Sequence, residues 1–158
     1  MLELGKAGSA GVERGVRPVV ADGSVVATLR ASNWKERATA TIGDQEWVYA
    51  KQRRQLTGRR SQDPEGTARC SARQVSVWKG GWDVDLEGIV VEARTASWWR
   101  TTHRYLLDGR AVAESGTTGG VNPRPTLTVT GDLPLHQQVF LLWLELVVRR
   151  RVEAASAA

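Results

Sequence analysis

Cysteine, phenylalanine and histidine are scarce in this chain of 158 residues, which holds one, one and two of them, respectively. A single cysteine excludes an internal disulfide framework and a cysteine-rich zinc site. Two histidines leave little for a histidine-built metal centre, and neither a metal nor a cofactor is expected. Glycine and proline, at 16 and 5 residues, are too few for a low-complexity disordered chain. The length predicts a single globular domain.

Long apolar segments are missing as well. The N-terminus has no apolar stretch typical of a secretory signal. The longest apolar run, from Val139 to Val148, is ten residues interrupted by Glu145, whereas a membrane-spanning helix needs about 20. No transmembrane segment is therefore expected, and cytoplasmic residence is the default prediction. Only four of the 22 basic residues are lysine, a bias that is common in GC-rich bacterial genomes.

Catalytic motifs are absent from the sequence. It has no nucleophile elbow, no H-E-x-x-H, no Walker loop and no Rossmann fingerprint. His103 lies beside Arg104 in a strand pattern and His136 precedes an apolar run, so both are interpreted as structural. Cys70 alternates with small apolar residues and is interpreted as a small hydrophobic residue. No catalytic residue is predicted, and the protein is not expected to be an enzyme.

The body of the chain has the pattern of antiparallel strands. From Val19 to about Val129 apolar and polar residues alternate, which gives each strand one dry and one wet face. Turn dipeptides separate the strands at hairpin spacing: Asp22-Gly23, Gly43-Asp44, Gly80-Gly81 and Asp108-Gly109. Several of the predicted inward residues are small, namely Ala38, Ala40, Ala68, Cys70 and Ala72.

The last element differs from the rest. A helix is predicted at about 133–151, and it is apolar on every side between Val139 and Val148. Such a helix must be surrounded. The sequence therefore predicts a closed or nearly closed antiparallel β-barrel wrapped around a hydrophobic C-terminal α-helix. We expect a loose N-terminal segment or an edge strand at 1–17, the barrel domain at 18–151 and a disordered tail at 152–158.

Two segments resemble a known family. The first segment runs from Trp98-Trp99-Arg100 through Tyr105-Leu106-Leu107-Asp108-Gly109-Arg110. The second runs from Leu133-Pro134-Leu135 to Arg149-Arg150-Arg151. This order of strand, Asp-Gly turn, strand, link, strand, apolar helix and basic stop resembles the tubby C-terminal-like superfamily, which includes LURP-one-related proteins and phospholipid scramblases. The resemblance implies a barrel filled by its last helix, with basic residues on the wall that bind anionic lipid. Hot-dog and helix-grip folds are the competing architectures.

The positive charge is concentrated in one region. The net charge is +5, and residues 45–80 alone hold eight basic and three acidic side chains. The candidate ligand-binding residues are Lys51, Arg53, Arg54, Arg59 and Arg60, a patch that attracts phosphate. The predicted function is a non-enzymatic binding or scaffold module that docks to anionic headgroups, peripheral at the membrane. The alternative interpretation of the patch is a solvated loop.

Other functions stay open at this point. The same patch could bind nucleic acid, an acyl-type ligand could occupy a helix-grip or hot-dog enzyme, and an unidentified protein partner could contact the tryptophan-rich wall. The acidic ladder Asp83, Asp85 and Glu87 is interpreted as a solvated strand face in preference to a cation site. Glu145 is expected to pair with an arginine at the barrel mouth. Most of the seven tryptophans are expected in the core and rim, with one of Trp98 and Trp99 exposed.

Overall fold

Twelve strands form a closed antiparallel ring in the computed structural model, which describes residues 1–76, 80–97 and 99–157. The strands are β1 (Leu2–Leu4), β2 (Arg17–Ala21), β3 (Ser24–Ala31), β4 (Arg37–Ile42), β5 (Gln45–Gln52), β6 (Gln55–Arg60), β7 (Cys70–Ser76), β8 (Gly81–Leu86), β9 (Ile89–Ser97), β10 (Thr102–Leu107), β11 (Arg110–Thr118) and β12 (Arg124–Val129). The helix α1 (Leu135–Ala157) follows them.

Each strand pairs with its neighbours in sequence, and β1 closes the ring between β12 and β2. Leu2 lies opposite Leu127 of β12, and Leu4 lies opposite Val19 of β2. The predicted closed antiparallel barrel with a C-terminal helix is confirmed. Asp22 and Gly23 both have positive φ, 49° and 80°, which suits the tight two-residue hairpin that the Asp-Gly signal predicts.

The N-terminal segment 1–17 is neither wholly loose nor an edge strand, because it contributes β1, which pairs on both sides. Leu2 and Leu4 are 4% and 0% exposed because they point into the barrel as part of β1. Three residues are too few for an alternating pattern to stand out in the sequence. One partner of this strand, β12, lies more than a hundred residues away, and local pattern does not reveal such a partner.

The helix is also displaced from its predicted bounds of about 133–151. It begins at Leu135, since the carbonyl of Pro134 accepts the amide of Gln138 at 3.1 Å. It continues through Ala157, where a disordered tail at 152–158 is expected. The last turns are rich in alanine, the strongest helix former, and this extends the helix beyond the barrel. Within the described residues, no helix is both long and apolar enough to cross a membrane.

The helix lies inside the barrel, with every residue from Val139 to Arg149 buried. A twelve-stranded barrel is wide enough to hold a helix, because barrel diameter grows with strand number. The strands nearest it present small side chains: Ala38, Ala40, Cys70 and Ala72 are each at most 3% exposed. Ala68 is an exception to the prediction. It is exposed because it precedes β7, in the connection from β6.

Candidate anion-binding site at one end of the barrel

The up-and-down topology sends the connections alternately to two ends of the barrel. We call one the helix-start end; it carries the connections 22–23, 43–44, 61–69, 87–88, 108–109 and 130–134. We call the other the helix-exit end; it carries the connections 5–16, 32–36, 53–54, 99–101 and 119–123, and α1 leaves the barrel there. Antiparallel neighbours that follow one another in sequence impose this division.

Charge is unevenly divided between the two ends. Four hairpin turns at the helix-start end each carry an acidic residue: Asp22, Asp44, Glu87 and Asp108. The helix-exit end instead carries exposed basic residues in its connections: Lys6, Arg14, Lys35, Arg53, Arg54 and Arg100. Arg149, Arg150 and Arg151 of α1 lie at the same end. The barrel is therefore electrically polar along its axis, and an anionic partner is attracted to the helix-exit end.

The predicted basic patch is split between the ends. Lys51, Arg53 and Arg54 are exposed at the helix-exit end, where Arg53 and Arg54 form the turn between β5 and β6. Arg59 and Arg60 lie at the far end of β6. Four strand residues lie between Arg54 and Arg59, and the five steps along the chain from one arginine to the other span about 17 Å. One flat surface at the barrel end cannot contact all five side chains.

Arg59 and Arg60 are also engaged within the protein. The Nη1 of Arg59 donates to the carbonyls of Arg60, Ser61 and Asp63 at 3.0–3.3 Å. The guanidinium of Arg60 lies 5.8 Å from the ring centroid of Trp47, within cation–π range. These two arginines hold the connection after β6 in place, so they are poorly available to a ligand.

Exposed apolar side chains stand among the basic residues of the helix-exit end. Trp34, Trp99 and Val121 are 95%, 69% and 94% exposed, and each lies in a different connection. Trp34 precedes Lys35, and Trp99 precedes Arg100. The sequence pattern does not single out Trp34 as an exposed residue. Its flanking residues Ser32 and Asn33 are turn formers that could have identified it as a loop tip.

The other tryptophans that the structure describes lie in the core, as expected. Trp47, Trp82 and Trp143 are at most 2% exposed and belong to the core. Trp78 and Trp98 lie outside the described residues. The exposure of Trp99 agrees with the expectation that one member of the Trp98-Trp99 pair faces solvent.

The helix-start end is held by a network around Glu87. Its carboxylate hydrogen-bonds the ring of His136, accepts from Gln137 at 3.1 Å and lies 3.9 Å from a guanidinium nitrogen of Arg69. Partial burial acts to raise the pKa of Glu87, but these partners outweigh it and lower the pKa. Arg69 also makes a 2.6 Å bond to Asp63. Glu87, the last residue of the acidic ladder, therefore holds the start of α1 in place.

Asp85 of the acidic ladder has a structural role too. Asp85 accepts the amide of Gly88 at 2.7 Å and so closes the β8–β9 turn. Asp83 lies opposite Arg73 of β7 and Glu92 of β9 in the register. Among the described residues, no group of three or more histidine, cysteine, aspartate or glutamate side chains is placed to hold a metal.

Glu145 lies in the interior, where it is 1% exposed. Its partner is not the expected arginine. His103 places Nδ1 at 3.0 and 3.2 Å from the two carboxylate oxygens, and the hydroxyl of Tyr105 donates to Oε1 at 2.5 Å. Both partners come from β10, which lies alongside α1 in the closed barrel. The sequence does not show this pairing, because it depends on the rotation of the helix within the ring.

The interior also shifts the pKa of these partners. Burial acts to lower the pKa of His103, but the Glu145 carboxylate and a backbone bond to Gly80 raise it above 6.5. Burial, and then the charge of Glu145, raise the pKa of Tyr105 well above 10. Burial likewise raises the pKa of the Cys70 thiol to about 12, so this cysteine stays a neutral thiol. His103 and Glu145 are enclosed by the barrel, and they serve the fold.

No protein family, curated protein or solved structure with which the chain was compared matches it. The resemblance to the tubby C-terminal-like superfamily stays a prediction.

Proposed function

We propose that the protein is a peripheral binding module that docks its helix-exit end on a membrane surface of anionic lipid headgroups. One observation carries the proposal: exposed Trp34, Trp99 and Val121 stand on three separate connections, and basic side chains surround them. Tryptophan prefers the headgroup level of a bilayer, and basic residues are attracted to anionic lipid. Both features lie at one end of the barrel.

The energies suit weak, reversible docking. Each lysine or arginine close to an anionic membrane contributes about 1 kcal/mol. The three patch residues at this end, Lys51, Arg53 and Arg54, thus contribute about 3 kcal/mol of binding free energy. The exposed side chains of Trp34, Trp99 and Val121 add to this binding. The acidic turns at the helix-start end oppose binding in the reverse orientation. The polar barrel thus favours one orientation on the membrane.

Co-sedimentation with lipid vesicles tests the proposal. We expect the wild type to sediment with phosphatidylglycerol vesicles at low salt, to bind neutral phosphatidylcholine vesicles poorly, and to dissociate at high salt because the attraction is screened. The triple variant Lys51→Gln/Arg53→Gln/Arg54→Gln loses about 3 kcal/mol, or roughly a hundredfold in binding. The double variant Trp34→Ser/Trp99→Ser also weakens binding, and it loses the blue shift of tryptophan fluorescence on vesicles.

The matched control removes the same charge elsewhere. Arg94, Arg104 and Arg110 are exposed on the barrel wall and at the helix-start end, and their replacement by glutamine is expected to leave vesicle binding nearly unchanged. An equal loss of vesicle binding in the two triple variants would show that net charge alone, and not the position of the charges, determines binding. Failure of the wild type to bind at low salt, or tight binding of an oligonucleotide in place of vesicles, would rule the proposal out.

A further inference from the structure

A second feature of the helix-exit end is a cleft between α1 and the barrel rim. Its volume is about 500 Å³, within the usual range for small-ligand sites. One wall is the face of α1 that emerges from the barrel, and the opposite wall comes from the β1–β2 connection, β2, the β11–β12 connection and the start of β12. The charged residues that line it are Lys6, Arg17, Arg124, Arg149, Arg150 and Glu153.

Arg149 is the most informative residue in this cleft. It is only 9% exposed, and its Nε atom is buried with no hydrogen-bond partner. Within the described residues, no hydrogen bond or ion pair reaches this side chain. A buried N–H group without an acceptor is costly, because it loses its hydrogen bond to water and gains none in return. The unsatisfied Arg149 is the kind of group that an anion in the cleft would satisfy.

The neighbouring arginines are held in place by backbone carbonyls and by Glu3. Arg124 donates to the carbonyl of Leu4 at 3.1 Å and to Glu3 at 3.0 Å. Arg150 donates to the carbonyl of Ser32 at 2.6 Å, and Arg17 makes a longer bond of 3.4 Å to Gly5. Each guanidinium has five N–H donors, so these contacts fix the side chains and leave further donors for a ligand.

The cations in the cleft also repel one another. Burial first, then the charges of Arg150 and Arg124, lower the pKa of Arg17. Glu3 is occupied by Arg124, and Glu153 is the acid that lines the cleft itself. Five basic side chains face this one carboxylate. A bound anion would therefore relieve repulsion as well as satisfy Arg149.

We infer that the cleft is a binding site for a phosphate group of the monoester or diphosphate type, with Arg149, Arg17 and Arg124 as its principal ligands. The planar forks of arginine match the paired oxygens of phosphate, and charge-assisted bonds of this kind are the strong ones. The phosphate could be a free anion or the headgroup of a lipid such as phosphatidic acid. The cleft shares the exposed Val121 with the docking surface but none of Lys51, Arg53, Arg54, Trp34 or Trp99. Its proposed ligands are therefore different residues, and the site goes beyond the membrane docking proposed above.

Calorimetric titration with pyrophosphate at constant ionic strength tests the inference. We expect saturable binding to the wild type, weakened at least about tenfold in Arg149→Gln and in Arg17→Gln, since each removes a charge-assisted contact. Arg149→Lys keeps the charge but loses the planar fork of the guanidinium. Its affinity for pyrophosphate is expected to lie between those of the wild type and Arg149→Gln. The matched control is Arg14→Gln, which removes an exposed charge at the same end but outside the cleft, and it should bind as the wild type does.

A direct readout in the wild type keeps the inference testable even where a variant folds poorly. The Nε–H resonance of Arg149 is expected to shift on addition of pyrophosphate, because this atom lacks a partner in the free protein. Binding weaker than about 10 mM with no shift of this resonance would overturn the inference. So would an equal loss of affinity in Arg14→Gln, which would indicate a diffuse ion atmosphere.

Vesicles distinguish the two sources of phosphate and separate this inference from the docking proposal. A preference for phosphatidic acid over phosphatidylglycerol that Arg149→Gln abolishes identifies a lipid headgroup as the source. Saturable pyrophosphate binding without that preference identifies a free anion. If the docking proposal is wrong, the protein does not bind phosphatidylglycerol vesicles but still binds pyrophosphate. If the cleft is not a phosphate site, Arg149→Gln changes neither vesicle binding nor pyrophosphate binding.

Discussion

The carboxylate of Glu145 is inside the barrel, where an uncompensated charge would cost several kcal/mol. Its contacts with His103 and Tyr105 offset that cost. Because the carboxylate raises the pKa of His103 above 6.5, the protonated imidazole contributes stability that is fully present below pH 6.5. This contribution is lost as the pH rises through the pKa that His103 has in the folded state.

Glu145→Gln tests this coupling. The amide can still accept from Tyr105 but carries no charge, so the pKa of His103 is expected to fall, because burial lowers it and only the backbone bond to Gly80 then opposes burial. We expect a loss of about 1–3 kcal/mol in the free energy of unfolding near pH 6, and a smaller loss near pH 9. NMR titration of His103 and urea unfolding at the two pH values measure both effects.

Tyr105→Phe is the matched control for that variant. It removes one hydrogen bond to Glu145 but leaves the His103–Glu145 pair in place. A loss of about 1 kcal/mol that varies little between pH 6 and 9 is expected. A His103 pKa that is the same in Glu145→Gln as in the wild type would contradict the coupling.

Residue environments were predictable from the sequence only where strand alternation decides them. Cys70, Trp82 and Leu86 are buried as their alternation predicts. The partner of Glu145 was not predictable: an arginine near i+4 is a local guess, whereas His103 lies 42 residues away in sequence. The division of the basic patch was hidden for a similar reason, because a strand carries residues that are close in sequence to opposite ends of the barrel.

Among the elements, α1 and the strands that face it are matched in size. Gly58 of β6 shows how closely they approach: a Cβ built there would lie 3.0 Å from a ring carbon of Phe140 and 3.1 Å from the ring of Tyr49. Both rings are fully buried, so they have little room to move. Gly58 and the inward alanines are the reason why a helix fits inside the ring.

Gly58→Val is therefore expected to destabilise the protein by about 1–3 kcal/mol through overpacking. Gly120→Val is the matched control, since Gly120 has nothing within 4 Å of the added Cβ and its φ is not positive. This variant should stay within about 0.5 kcal/mol of the wild type. Urea unfolding measures both, and similar stabilities for the two variants would contradict the close packing of β6 against α1.

Secondary structure was predictable wherever the signal was long or strongly local. The Asp-Gly turns and the all-apolar helix core both meet that condition. The boundaries that failed have weak local signals: β1 is only three residues long, and the end of α1 is exposed and alanine-rich. The partners of β1 in the closed ring stabilise it, and no pattern within residues 1–17 records them.

The whole molecule depends on closure of the ring by β1. Without it, β12 and β2 would each present an unpaired edge, and the buried helix would meet solvent between them. Leu2 and Leu4 fill the same gap from the inside. A very short strand at one terminus thus holds the barrel shut.

Removal of residues 1–4 is expected to cost more than about 4 kcal/mol, because two buried leucines and both strand pairings are lost. That is a large part of the 5–15 kcal/mol typical of a domain. Urea unfolding should show the loss, and size-exclusion chromatography should show association through the open edges. The control chain stops after Glu153, which removes only exposed residues among those described, and it should remain folded; equal stability of the two truncations would contradict the closing role of β1.

The pairing of Leu2 with Leu127 also bears on how the protein is made. A ribosome adds roughly 5–20 residues per second, so the first strand waits on the order of 10 s for its partner to be synthesised. The helix that fills the interior is translated later still. The nascent chain therefore leaves the exit tunnel as an open, unfilled sheet, and a chaperone that holds unpaired edges apart would protect it until translation ends.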